Sequence, residues 1–178
     1  AVSPSTATIC AGDPVTLLAS LTSPGTPSYT APAAVTNALT DEDLRNITIT
    51  QGATTILNNT TNYNTLVGTI GTAAGTAGSY SNFTSFPPST LNGGTTYSVS
   101  ATVVDSNDGF YYTKGVGVYI DYNRNGLFND AGENVFISGT SPTPQTSLYT
   151  FTGSFAVPST VSNGPTRMRV VVNEGAVT

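Results

Sequence analysis

The sequence contains no histidine, no tryptophan and a single cysteine, and only 8% of its 178 residues are charged. Without histidine, neither a Ser-His nor a Cys-His pair can form for nucleophilic catalysis. One cysteine forms no internal disulfide, and Cys10 is expected to be a small buried hydrophobe. The five basic residues, against ten acidic ones, are too scattered to form a nucleic-acid-binding patch. These absences predict a protein that is not an enzyme and has no nucleic-acid partner.

Threonine, at 32 positions, takes the place of the missing charge. Its β-branched, half-polar side chain suits the exposed face of a sheet and disfavours helix. No apolar run reaches the roughly 18 residues of a membrane span, so direct membrane insertion is not expected. Low charge combined with abundant Thr, Ser and Asn favours an extracellular or cell-surface location.

Apolar and polar residues alternate along much of the chain, as in half-buried strands. The clearest case is residues 97–103, where Tyr97, Val99, Ala101 and Val103 alternate with Ser and Thr. Similar patterns recur around residues 47–49, 116–120, 149–157 and 168–172, and no segment has a convincing helical period. The predicted fold is all-β: an antiparallel β-sandwich, jelly-roll or immunoglobulin-like, with roughly nine or ten strands. Lys114, the only lysine, is expected to face solvent from one of these strands.

The segment from Asp121 to Glu133 holds three of the ten acids and three asparagines. Oxygen-bearing side chains at positions 1, 3 and 5, a glycine at 6 and a carbonyl at 7 match the start of a calcium-binding loop. In an EF-hand the closing glutamate stands at position 12, whereas here the acid is one residue later and the flanks are strands. Oxygen-only ligation favours Ca²⁺ over zinc. The predicted ligands are Asp121, Asn123, Asn125, the Leu127 carbonyl, Asp130 and Glu133.

Two alternatives remain open for the acidic segments. The pair Asn125-Gly126 is also a strong signal for a metal-free type I′ hairpin turn. The nearby segment 105–109, with two further acids, is either a solvated Asp-Gly turn or a second, weaker cation site.

Four tyrosines near the acidic loop are candidates for binding a glycan, because sugars stack on exposed aromatic faces. The alternative is that they pack within the sheet, as strand tyrosines usually do. The candidates are Tyr111, Tyr112, Tyr119 and Tyr122.

Several segments together resemble the GEVED domain, a module of secreted and cell-surface proteins of Bacteroidetes-type bacteria. The most specific is residues 116–136, similar to the family's V-x-I-D-[WY]-N-x-D-G-x-F pattern and the acidic Gly-Glu that follows it. Asn125 stands where the family usually has aspartate, which removes one charge, and the Gly-Glu-Val-Glu-Asp run is absent. The other matching segments are residues 56–61, 80–85, 91–101 and 166–172.

The resemblance implies three parts of the chain. Residues 36–178 would form a GEVED-like β-sandwich lacking its last strand, preceded by a Pro/Ser/Thr linker at 21–35. Residues 1–20 resemble the opening of an immunoglobulin-like adhesin repeat, or are a strand pair donated to a neighbour's open sheet edge.

The expected function is a non-catalytic module of a bacterial surface adhesin or filament, exported by the type IX route. Its expected partners are neighbouring domains or subunits. The alternative is a carbohydrate-binding module of a secreted glycan-degrading enzyme.

Overall fold

The computed structural model describes residues 2–3, 18–19, 27–30, 43–60, 74–76, 80–84, 86–104, 111–142 and 148–177. Cys10, the segment 105–109 and most of residues 1–20 lie outside these ranges, so what the sequence predicts for them stays a prediction.

All regular structure in the described ranges is β, and none of these residues is helical. Nowhere in them is there a helix with the length and apolar character that a membrane span requires. The strands are β1 Val2–Ser3, β2 Leu18–Ala19, β3 Asp43–Gln51, β4 Thr54–Thr60, β5 Ala74–Thr76, β6 Tyr80–Asn82, β7 Thr96–Val104, β8 Lys114–Ile120, β9 Asn134–Ile137, β10 Leu148–Ala156 and β11 Met168–Glu174.

The larger sheet has four antiparallel strands in the order β10-β7-β3-β4. The period-2 pattern works here as predicted, because Tyr97, Val99, Ala101 and Val103 are all buried. The intervening Ser and Thr residues lie on the opposite, more exposed face. That outer face carries hydroxyl and amide side chains that bond across strands, as between Thr102 and Thr150 (2.9 Å).

The smaller sheet has three antiparallel strands in the order β11-β8-β9. Its central strand, β8, is buried at every position except the half-buried Tyr119. Lys114 at the start of β8 is fully buried. The expectation that it faces solvent is therefore wrong: it lies on a central strand covered on both sides, and its backbone bonds with buried Ser141.

Buried side chains of the two sheets form one hydrophobic cluster. The four-stranded sheet contributes Ile47, Ile49 and Phe151, and the three-stranded sheet contributes Val116 and Val118, among others. A close approach between the sheets occurs where the ring of Phe136 on β9 lies against the backbone of Gly153 on β10.

The all-β, antiparallel prediction is confirmed, whereas the strand count differs. In the part of the chain that the structure describes, seven strands make up the two sheets, fewer than the nine or ten predicted. The other four described strands have two or three residues each and form two separate ribbons, β1-β2 and β5-β6.

Candidate metal centre

The acidic loop, residues 121–133, connects β8 to β9 at one end of the smaller sheet. Its ends are held together because the Ile120 amide donates to the Glu133 carbonyl (2.8 Å). Its start is held to the segment before β11, since the Asp121 amide donates to the Arg167 carbonyl (3.2 Å). Backbone hydrogen bonds therefore fix the two ends of the loop to each other and to the segment before β11.

The loop is not the two-residue hairpin that Asn125-Gly126 could form. A type I′ turn needs positive φ at both central residues. Here Gly126 has φ 88° and Arg124 has φ 61°, and Asn125 is not among the residues of positive φ. Side chains shape the loop instead: Asn123 Oδ1 accepts from the Asn125 amide (3.0 Å), and Asn125 Oδ1 accepts from the Leu127 amide (2.8 Å). These are successive Asx turns.

The first predicted ligand, Asp121, is fully buried. Its Oδ2 accepts a hydrogen bond from the Gly126 amide (2.9 Å), and its Oδ1 accepts from the Asn125 amide (3.2 Å). A carboxylate taken out of water needs such partners to offset its lost hydration. The loop thus curls its backbone amides around Asp121.

Three further predicted ligands meet on the more exposed side of the loop. Asp130 Oδ2 accepts hydrogen bonds from two side-chain nitrogens, Nδ2 of Asn123 (2.9 Å) and Nδ2 of Asn125 (2.7 Å). The Oδ1 atoms of both asparagines already accept backbone hydrogen bonds in the Asx turns. An amide oxygen has two lone pairs, so each Oδ1 keeps one with which to coordinate a cation.

Glu133 is the least satisfied of the predicted ligands. It is only 2% exposed. Its Oε1 accepts one long bond from the Asn123 amide (3.3 Å), and its Oε2 is buried without a hydrogen-bond partner. An unsatisfied buried charge is costly, and a coordinated cation is one of the few groups that offset it. The donor set therefore fits a hard cation, with Glu133 as the closing carboxylate.

The loop brings all five predicted side-chain ligands into one hydrogen-bonded network. The Leu127 backbone amide donates a hydrogen bond to Asn125 Oδ1. Ligation of a cation by the Leu127 carbonyl stays a prediction. Within the described ranges, no three His, Cys, Asp or Glu side chains are grouped so as to hold a metal by themselves. A cation here would depend on asparagine and main-chain oxygens in addition to the acids.

The four predicted glycan-binding tyrosines fall into two pairs. Tyr111 and Tyr112 are exposed, at 48% and 40%, just before β8. Tyr119 and Tyr122 are half-buried. Burial and then the negative charge of Glu133 raise the pKa of Tyr122 to about 12. Its hydroxyl is buried without a partner, which places a second unsatisfied oxygen near Glu133.

Sequence reasoning missed that residues 27–30, inside the predicted linker, contact the acidic loop. The Tyr29 ring packs on Phe128, with centroids 5.6 Å apart, and the Arg167 guanidinium lies 4.3 Å above the Tyr29 ring. A methyl group on Gly126 would lie 2.5 Å from the Ser28 carbonyl oxygen. The sequence signal for this contact was Tyr29 itself, the single tyrosine in the Pro/Ser/Thr-rich segment 21–35.

Fold and loop together define an all-β protein with a candidate oxygen-only cation site in a strand connection. A family model described as GEVED domain matches residues 115–178. The match includes the acidic loop and nearly all of strands β8 to β11. No curated protein and no solved structure gives a significant match. The immunoglobulin-like resemblance of residues 1–20 and the bacterial origin stay predictions.

Proposed function

We propose that the chain is a non-catalytic extracellular module of a bacterial cell-surface adhesin or filament. In this proposal the two sheets form a β-sandwich, and a calcium ion in the acidic loop stabilises it. The observation that carries the calcium part of the proposal is the buried, unpartnered Oε2 of Glu133, in a loop that also buries Asp121. The loop lies inside the segment that matches the GEVED domain model.

Calcium fits this loop better than other common metals. The donors are carboxylate, amide and carbonyl oxygens, the chain has no histidine, and its single cysteine, Cys10, is remote from the loop in sequence. Calcium accepts six to eight oxygens in flexible geometry, whereas magnesium demands a near-ideal octahedron. The role is structural, because the ion would join residues at both ends of one loop.

The surface-module part of the proposal rests on the GEVED match and on composition. The family resemblance implies secreted and cell-surface proteins, exported in this case by the type IX route. The outer face of the larger sheet carries uncharged Ser, Thr and Asn side chains where many sheets carry charge. The partners would be neighbouring domains or subunits of the same surface protein.

Thermal unfolding in EDTA and in millimolar CaCl₂ tests the calcium site. Ligand linkage gives about 2.7 kcal/mol of stabilisation when free calcium is a hundred times Kd. For a chain of this size, that shifts Tm by roughly 5 to 10 °C. Asp121→Asn keeps the side-chain size and should lose most of the shift. An unchanged Tm for the wild-type chain across millimolar calcium would refute the site.

Antibody labelling of intact source cells tests the location. Antibodies against the purified chain should label unpermeabilised cells, and external protease should remove the signal. Labelling that needs permeabilisation would contradict the surface assignment while leaving the calcium site intact.

The exposed pair Tyr111 and Tyr112 favours a second candidate, a carbohydrate-binding module. Co-sedimentation with a panel of insoluble polysaccharides tests it. Specific binding lost in Tyr111→Ala and Tyr112→Ala, but kept in Phe86→Ala, would support it. Phe86 is a suitable control because it is equally exposed (46%) and contacts Phe83, outside the loop.

A further inference from the structure

Residues 27–30, here called the docked segment, are held by contacts to the acidic loop and to the start of β11. Tyr29 contacts both Phe128 of the loop and Arg167. The carbonyl of Thr30 accepts a hydrogen bond from the Arg169 guanidinium (3.2 Å). That guanidinium also lies 4.3 Å above the Phe128 ring. Loop, segment and β11 therefore share one set of aromatic and arginine contacts.

The docked segment also reaches the candidate cation ligands. The Tyr29 hydroxyl is 3.3 Å from the Thr166 hydroxyl, which in turn donates to the Asp121 carbonyl. Through the Thr166 hydroxyl, Tyr29 is thus linked to the main chain of Asp121, the first predicted calcium ligand.

Gly126 ties the segment's position to the conformation of the loop. Its φ of 88° belongs to the region that glycine tolerates, and its amide donates to Asp121. The Ser28 carbonyl passes where a side chain on Gly126 would be. If the loop opens, Gly126, which lies against Ser28, and the Phe128 ring, which lies against Tyr29, move together.

We propose that calcium binding in the acidic loop controls the docking of residues 27–30 on the module. This inference rests on the calcium site proposed above. Without the cation, the Glu133 carboxylate, whose Oε2 has no hydrogen-bond partner, favours loop conformations in which it reaches water. Those conformations withdraw Gly126 and Phe128 from the segment. Calcium holds the loop closed and so fixes residues 27–30 on the module.

The two events must be linked in both directions. If calcium favours docking, the docked segment must favour calcium by the same factor. Losing the segment's contacts should therefore weaken calcium binding, although none of its side chains is a predicted ligand.

Chymotrypsin cleavage after Tyr29 tests the first direction. In the wild-type chain, saturating calcium should slow this cleavage at least tenfold relative to EDTA. Cleavage after the exposed Tyr111 provides the control site and should change far less. In Asp121→Asn, calcium should no longer protect Tyr29.

Calorimetric titration of calcium tests the reverse direction. Tyr29→Ala should raise the calcium Kd at least about fivefold, the lower end of common coupling factors. Arg169→Met removes the bond to Thr30 but keeps Tyr29, and should raise Kd by less. Phe86→Ala should leave Kd unchanged.

The outcomes separate this inference from the calcium proposal. If wild-type chain binds calcium but neither Tyr29 cleavage nor the Kd of Tyr29→Ala changes, the coupling is refuted and the site stands. If the wild-type chain binds no calcium, both are refuted.

Discussion

At the scale of single residues, the two buried carboxylates of the loop differ in how well the protein itself satisfies them. Asp121 accepts two backbone hydrogen bonds, whereas Glu133 has one long bond and one bare oxygen. Asp121 is therefore partly stabilised by the protein itself, whereas Glu133 keeps one oxygen that the protein does not satisfy. This asymmetry gives opposite expectations for Glu133 with and without calcium.

Glu133→Gln should stabilise the protein in EDTA and destabilise it, relative to wild type, in calcium. In EDTA the substitution removes an unsatisfied buried charge, which is worth about 1–3 kcal/mol. In calcium it removes a charged ligand and shrinks the calcium-induced Tm shift. Unfolding curves in both buffers measure this reversal. Glu174→Gln, at an exposed position, should change neither curve, and a Glu133→Gln effect of the same sign in both buffers would contradict the cation role.

Tyr122 gives a pH-dependent prediction for the metal-free protein. Its pKa in the folded state is about 12, above the ordinary value of 10.0, so folding favours the neutral phenol. That contribution is complete below pH 10 and is lost as pH rises through about 12. Urea unfolding in EDTA should show wild type losing stability relative to Tyr122→Phe over this interval. Parallel curves for the two proteins would show that Tyr122 titrates normally.

At the scale of elements, sequence pattern predicted what depends on local periodicity. Val99 and Val103 are buried because residues two apart share one face of a strand, and that rule needs no tertiary information. The burial of Lys114 and the docking of Tyr29 were not predictable in this way. Tyr29 meets Thr166 across 137 positions of sequence, and no local pattern encodes such a contact.

The approach of the two sheets yields a packing prediction at Gly153. A methyl group there would collide with the Phe136 ring, so Gly153→Ala should cost about 1–3 kcal/mol of unfolding free energy. Phe136→Leu in the same chain should recover part of that loss, giving a non-additive double-mutant cycle. Gly139→Ala, with open space around the added methyl, is the control. Additive effects at 136 and 153 would mean that the sheets do not meet there.

At the scale of the whole molecule, charge is scarce and unevenly distributed. The chain has ten acidic and five basic residues, and three of the acids lie in one thirteen-residue loop. Two of these three are buried, so they differ from ordinary surface charges. Dissolved salt screens exposed charges over a Debye length of about 10 Å at 0.1 M, whereas it screens buried charges much less.

Specific calcium binding and general charge screening therefore predict different salt responses. If net negative charge alone limits stability, NaCl at 0.3 M should raise Tm more than 1 mM CaCl₂ does, because its ionic strength is far higher. With a cation bound between Asp121 and Glu133, 1 mM CaCl₂ should raise Tm by several degrees, and NaCl should reproduce little of it. Magnesium at 1 mM should fall between them, because it gives up its water less readily than calcium. Melting curves of wild type, stripped of metal with EDTA and dialysed free of it before each salt is added, decide between the two. An NaCl shift as large as the calcium shift or larger would assign the acids of the loop to bulk electrostatics.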